Sequence, residues 1–177
     1  MQRKYLAVGV AFTVLAATMA IAQQDKSKRP SPPATAEVTL KGKKISIDYS
    51  QPSLKGRKVG QELAPYGKVW RTGANEATAL NTEIDLTIGG VKVPAGKYTL
   101  YTLPSEGTWK LIINKQTGQW GTVYNEGQDL ARVDMKKSAL PQSVEQFTIS
   151  FDKKGEGVAD LNLDWENTRV SVAVKAE

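Results

Sequence analysis

Residues 84–103 read Ile84-Asp85-Leu86-Thr87-Ile88-Gly89-Gly90-Val91-Lys92-Val93-Pro94-Ala95-Gly96-Lys97-Tyr98-Thr99-Leu100-Tyr101-Thr102-Leu103. Ile84, Leu86 and Ile88 alternate with polar residues, Gly89-Gly90 makes a tight turn, and Val91 and Val93 return. An apolar residue at every second position puts one face of an extended chain against a core. Pro94-Ala95-Gly96 turns the chain again, with proline suited to the second position of a type I turn and glycine to the fourth. Lys97 to Leu103 is dense in β-branched and aromatic residues, and Pro104 ends it.

The same period of two recurs on both sides of this stretch. Val38 and Leu40 lead through Lys41-Gly42 to Ile45, Ile47 and Tyr49. Ser105-Glu106-Gly107 turns into Trp109, Leu111 and Ile113. Phe147, Ile149 and Phe151 alternate before a turn at 153–157, and Leu161, Leu163 and Trp165 follow. Glu166-Asn167-Thr168 reads as a further turn before Val170, Val172 and Val174. No stretch of ten or more residues carries a 3.6-residue period. Ser138 to Gln146 could hold a helical turn, and Asp129 to Lys136 suits either state. Short strands, frequent turns and no helix to cover a sheet predict an all-β fold, an antiparallel two-sheet β-sandwich.

The first 22 residues differ in kind. Arg3 and Lys4 precede an apolar run from Leu6 to Leu15, and Ala20-Ile21-Ala22 supplies the small-x-small pattern of signal peptidase. A cleaved signal peptide at 1–22 is expected, with the exported chain starting at Gln23 and addressed to the periplasm or the exterior. No cysteine stands at the cut, so no lipid anchor is expected. Residues 23–35 are polar and proline-rich, a flexible leader, and 36–177 form a single domain. No membrane span is expected after cleavage.

Composition narrows the chemistry. Arg3 and Lys4 leave with the signal, so of 24 basic groups 22 face 18 acidic ones. That mild excess is scattered, not gathered into a stripe, and points away from nucleic acid. With no histidine and no cysteine, imidazole triads, thiolate nucleophiles and Cys/His zinc or haem sites are excluded, as is a disulfide framework. The aspartates fall into no Ca²⁺ loop spacing. No metal and no cofactor is expected, and catalysis would rest on Asp, Glu, Lys, Tyr, Ser or Arg.

Two segments break the alternation: the basic loop Ser50 to Gly60, and Tyr66 to Thr78, which mixes aromatic, charged and glycine residues. In the second, Arg71, Asn75 and Glu76 offer a guanidinium fork, an amide and a carboxylate within six residues, a set that could grip a sugar hydroxyl, a carboxylate or a peptide end. The plainer reading is an internal Arg71–Glu76 pair, with Asn75 serving the loop backbone. Glu166 follows Asp164, and with Glu76 either could form the carboxylate couple of a glycosidase. Trp109 and Trp165 share strand phase with core residues; Trp70 fits either side. Trp120 stands among turn residues and is the best candidate for an exposed aromatic contact.

The run Pro65-Tyr66-Gly67-Lys68-Val69-Trp70-Arg71-Thr72-Gly73-Ala74-Asn75-Glu76-Ala77-Thr78, the turn Pro94 to Tyr98 and the closing Leu163 to Val172 resemble domain-of-unknown-function family 2911. The resemblance spans nearly the whole expected domain and implies an exported bacterial β domain, without implying a reaction or a catalytic residue. Taken together, the sequence predicts a non-enzymatic envelope module that binds a glycan, peptide or protein through Arg71, Asn75, Glu76, Trp120 and Glu166. A carboxylate-dependent glycan hydrolase and a purely structural envelope protein are the alternatives.

Overall fold

The computed structural model describes residues 25–177; the expected signal segment and its cut before Gln23 lie outside the described residues. The chain is all-β. Its strands are β1 (Pro33–Leu40), β2 (Lys43–Ser50), β3 (Thr78–Thr82), β4 (Leu86–Ile88), β5 (Val91–Val93), β6 (Gly96–Leu103), β7 (Trp109–Asn114), β8 (Asp129–Lys153) and β9 (Val158–Ala176). All pairings are antiparallel, in the order β1-β2-β3-β6-β7-β8-β9-β4-β5.

The hairpins form where the turn chemistry predicts. Lys41-Gly42 and Gly89-Gly90 have positive φ at both central residues, 48° and 74° in one and 54° and 87° in the other. That is the primed turn form, whose twist matches the flanking strands. β3 is the strand that alternation misses, because its buried positions are Thr78, Leu80 and Thr82. The two threonines go inward because their hydroxyls find carbonyls, Thr78 donating to Thr72 at 2.8 Å and Thr82 to Ile84 at 2.6 Å. A satisfied hydroxyl can be buried at little cost.

The expected two-sheet sandwich is corrected by β8 and β9. Asp129 to Met135 of β8 pair with β7, and from Lys136 onward the same strand pairs with β9. The two long strands carry one ladder into the next, so a single open sheet of nine strands replaces two separately bonded ones. The expected helical turn at Ser138 to Gln146 is strand, interrupted by register shifts around Val144. The expected turn at Glu166 is continuous strand in β9, where Glu166 has a left-handed φ of 53° and faces the register shifts of β8. The inserted residues are on β8, where the step from Ala139 to Val144 faces only that from Thr168 to Glu166, and such an insertion bends the pair.

The bent sheet encloses a core that joins Ile47 of β2, Leu111 of β7, Ile149 of β8 and Leu163 of β9. The β1–β2 end comes back against the β8–β9 hairpin, where the Lys41 N–H donates to the Glu156 carbonyl at 2.9 Å. The outer edge of β8 is also closed. Phe147 N–H donates to the Pro52 carbonyl and Leu54 N–H to that of Glu145, both at 2.9 Å. Further along β8 the Ile149 N–H donates to the Tyr49 hydroxyl at 3.0 Å. Replacing Tyr49 by Phe strands that buried N–H, which costs about 1–3 kcal/mol. Urea unfolding of Tyr49→Phe checks this; a loss well below that range would show the phenol to be dispensable for closing the sheet.

Candidate functional site

The irregular segment after Tyr66 is held down by Trp70. Its backbone forms an isolated bridge with Thr102 of β6, through N–H to O contacts of 2.7 and 2.9 Å. Its ring stacks on Trp165 at 5.3 Å and 20°, and meets Phe147 edge-on at 5.0 Å. Trp165 is 3% exposed, in phase with Leu161 and Leu163. The chain then turns left-handed at Thr72, φ 53°, and again at Asn75, φ 59°. A β-branched residue takes this conformation only when its surroundings impose it. Here the Thr72 hydroxyl bonds that of Thr102 at 3.2 Å, and its carbonyl accepts from Thr78.

These constraints shape a cleft of about 480 Å³, within the range of small-molecule sites. Trp70, Trp165, Tyr101 and Tyr124 line it, with Arg57, Glu62, Arg71 and Ser31 also at its wall. The two tyrosine rings meet edge-on at 4.8 Å. Tyr124 donates to Asp129 at 2.6 Å and accepts from Arg132 at 2.7 Å. Burial and then the Asp129 carboxylate push its hydroxyl up to about 12, so at neutral pH it is a neutral hydrogen-bonding group. Gly121 closes one wall. A Cβ there would lie 2.8 Å from Arg71 Cδ and 2.9 Å from the Asn75 carbonyl, so only glycine allows the two segments this approach.

The five residues singled out from sequence have different fates. Arg71 lines the cleft; its Nε donates to the Gly73 carbonyl at 3.3 Å, and no carboxylate of the described residues lies within 4 Å of it. The internal Arg71–Glu76 pair is therefore not formed. Asn75 turns to the chain start instead, its side chain donating to the Ser31 carbonyl at 3.1 Å. Glu76 accepts both oxygens' worth of hydrogen bonding from Arg29 at 2.9–3.0 Å and pairs with Lys26 at 3.0 Å. Trp120 is 48% exposed, bridges Glu76 through the backbone and precedes two cleft residues, Gly121 and Thr122. Glu166 stands apart, taken up by Lys58 Nζ at 2.9 Å and the Val59 N–H at 3.2 Å. Asp164 is held by both nitrogens of an Arg169 fork, at 2.6 and 2.7 Å.

Each carboxylate weighed for hydrolysis thus holds a cation. Among the described residues no group of three or more Asp, Glu, His or Cys could hold a metal ion. Sequence reasoning missed Tyr101, Tyr124 and Arg57. Tyr101 did leave a signal: it follows Leu100 directly, so the two point to opposite faces of β6, and both are buried.

Glu76 also fixes the segment before β1. Burial opposes its charge, yet hydrogen bonds from its own N–H, Arg29 and Lys26 hold the carboxyl at about 2, below the ordinary 4.5. With the folded value depressed, the pairs stabilise fully above about 4.5 and are lost as pH falls toward about 2. They are solvent-screened, worth under about 1 kcal/mol to the whole fold. Glu76→Gln should therefore leave the melting temperature within a few degrees while tryptic cleavage after Lys28 accelerates at neutral pH. Unchanged cleavage would show that the carboxylate does not restrain this segment.

No curated protein and no solved structure matches the chain. A family model, protein of unknown function (DUF2911), matches residues 31–174, from the Ser31 that touches the cleft to the last core valine of β9. The chain belongs to that family.

Proposed function

We propose that the domain is an exported, non-enzymatic module that binds an envelope ligand in the cleft between Trp70 and Tyr124. One observation carries this reading: Arg71, without an acidic partner among the described residues, lines an open cleft beside four aromatic rings. A guanidinium needs acceptors, and where the protein supplies only one carbonyl, a ligand can supply the rest. Aromatic walls with a few polar groups suit a saccharide or a peptide side chain. The expected contact set shifts accordingly. Arg71 stays, Trp120 only precedes the cleft residues Gly121 and Thr122, and Asn75 and Glu76 brace the wall through Ser31 and Arg29. Glu166 belongs to the loop at Lys58.

A hydrolase reading has less to rest on, because Glu76, Asp164 and Glu166 are each engaged by Arg or Lys. Ligand-observed NMR with peptidoglycan fragments, acidic oligosaccharides and short peptides tests the proposal. One of these classes should bind, quench tryptophan fluorescence and lose binding in Tyr124→Ala without turnover. If none binds, and Tyr124→Ala changes only stability, the domain is structural. For the export part, protein recovered outside the cytoplasm should begin at Gln23; retention inside the cell with Met1 intact would contradict it.

A further inference from the structure

The loop that lines the cleft has more unmet donors than Arg71. The backbone N–H groups of Arg71, Thr72, Gly73, Ala74 and Asn75 donate to no acceptor among the described residues, although the carbonyls of Thr72, Gly73 and Asn75 all accept. Thr72, Gly73 and Ala74 are buried, and Arg71, Gly73 and Ala74 line the cleft. A buried N–H without an acceptor is rare and costs about as much as a lost hydrogen bond. Three buried ones in succession, flanked by two half-buried ones, are a demand for oxygen acceptors.

The backbone conformation is of the kind that gathers such groups. Positive φ at Thr72 follows an ordinary negative φ at Arg71, and positive φ at Asn75 follows a negative one at Ala74. Left-handed residues following right-handed ones turn consecutive N–H groups toward a common centre, the concave form that binds anions, and Thr72 and Asn75 supply the left-handed positions. The charge around it agrees. Arg71 and Arg57 line the cleft against one carboxylate, Glu62, whose oxygen accepts from the Lys58 N–H. Tyr124 adds no negative charge, because its proton is held by Asp129.

We infer that the cleft is an oxyanion site: residues 71–75 and the Arg71 guanidinium hold a carboxylate or phosphate group of the ligand, and its remainder rests against Trp70 and Tyr124. This deepens, and rests on, the cleft reading above. The left-handed Thr72 then has a purpose, since a relaxed loop would pair its amides within the protein. The Gly121 contact has one too, because it brings the Arg71 side chain and the Asn75 backbone against one wall.

Amide-resolved NMR titration of the full exported chain tests this, with inorganic phosphate and sodium acetate as probes and sodium chloride at matched ionic strength as the control. Saturable shifts at the Thr72 to Asn75 amides are expected with phosphate, acetate or both, and not with chloride. The stronger of the two names the source of the oxyanion. Arg71→Ala should weaken the response about tenfold or more, as loss of a charge-assisted contact does. Arg71→Lys, which keeps the charge but not the fork, should fall between and guards against a folding defect. Absence of saturable shifts at these amides, or shifts indifferent to both Arg71 variants, overturns the oxyanion assignment. A neutral oligosaccharide that binds the cleft while neither anion does would leave the cleft reading standing and remove this one; failure of all three probes removes both.

Discussion

The site depends on the stack of Trp70 upon Trp165. The chain between Tyr66 and Thr78 has no strand to fix it, only an isolated bridge at Trp70 and another at Glu76. An irregular segment of that length has a large conformational entropy to give up. Trp70 offsets it by wedging a ring against Trp165 and Phe147, with Tyr49 edge-on to Phe147 behind them. Paired aromatic rings are worth about 0.5–1.5 kcal/mol each beyond the area they bury. That wedge fixes the start of the segment, and the Thr72 turn and the Gly121 approach add their own hydrogen bonds beyond it.

The aromatic anchor in turn requires the long strands. Trp165 meets Trp70 from within the continuous β9, and Phe147 arrives on the facing stretch of β8. One open sheet, bent on β8 and β9, therefore does the work that two bonded sheets would do in a sandwich. Its first strands return to the β8 edge through Tyr49, Pro52 and Leu54. The cleft lies where the returning segment, the Trp70 loop and β6 meet.

Most of the strands are legible in the sequence because a half-buried strand writes its burial as alternation. Ile45, Ile47, Leu86, Ile88, Leu111, Ile113, Leu161 and Leu163 are all buried as their phase requires. Trp109 and Trp165 follow the same rule, and Trp120 is as exposed as its turn setting implies. The failures have physical causes. Threonines paid for by hydroxyl bonds hid β3, and the Glu166-Asn167-Thr168 stretch inside continuous β9 looked like a chain reversal. Strand continuity across β8 is a matter of which partner each half finds, and that is long-range.

The site was half legible. Unusual composition marked the Tyr66 to Thr78 segment, and Arg71 from it lines the cleft. Its neighbours were not, since Tyr101, Tyr124 and Ser31 are brought in by pairing and by Asn75 reaching the chain start. The aromatic stack holds the cleft loop in place, and amide hydrogen exchange in Trp165→Ala puts this to the test. Exchange of the Gly121 and Ala77 N–H groups, which bond the Asn75 and Gln119 carbonyls, should accelerate well beyond that of Leu111 and Ile113 in β7. Acceleration by one common factor at all four positions would contradict it, leaving Trp165 as an ordinary core residue.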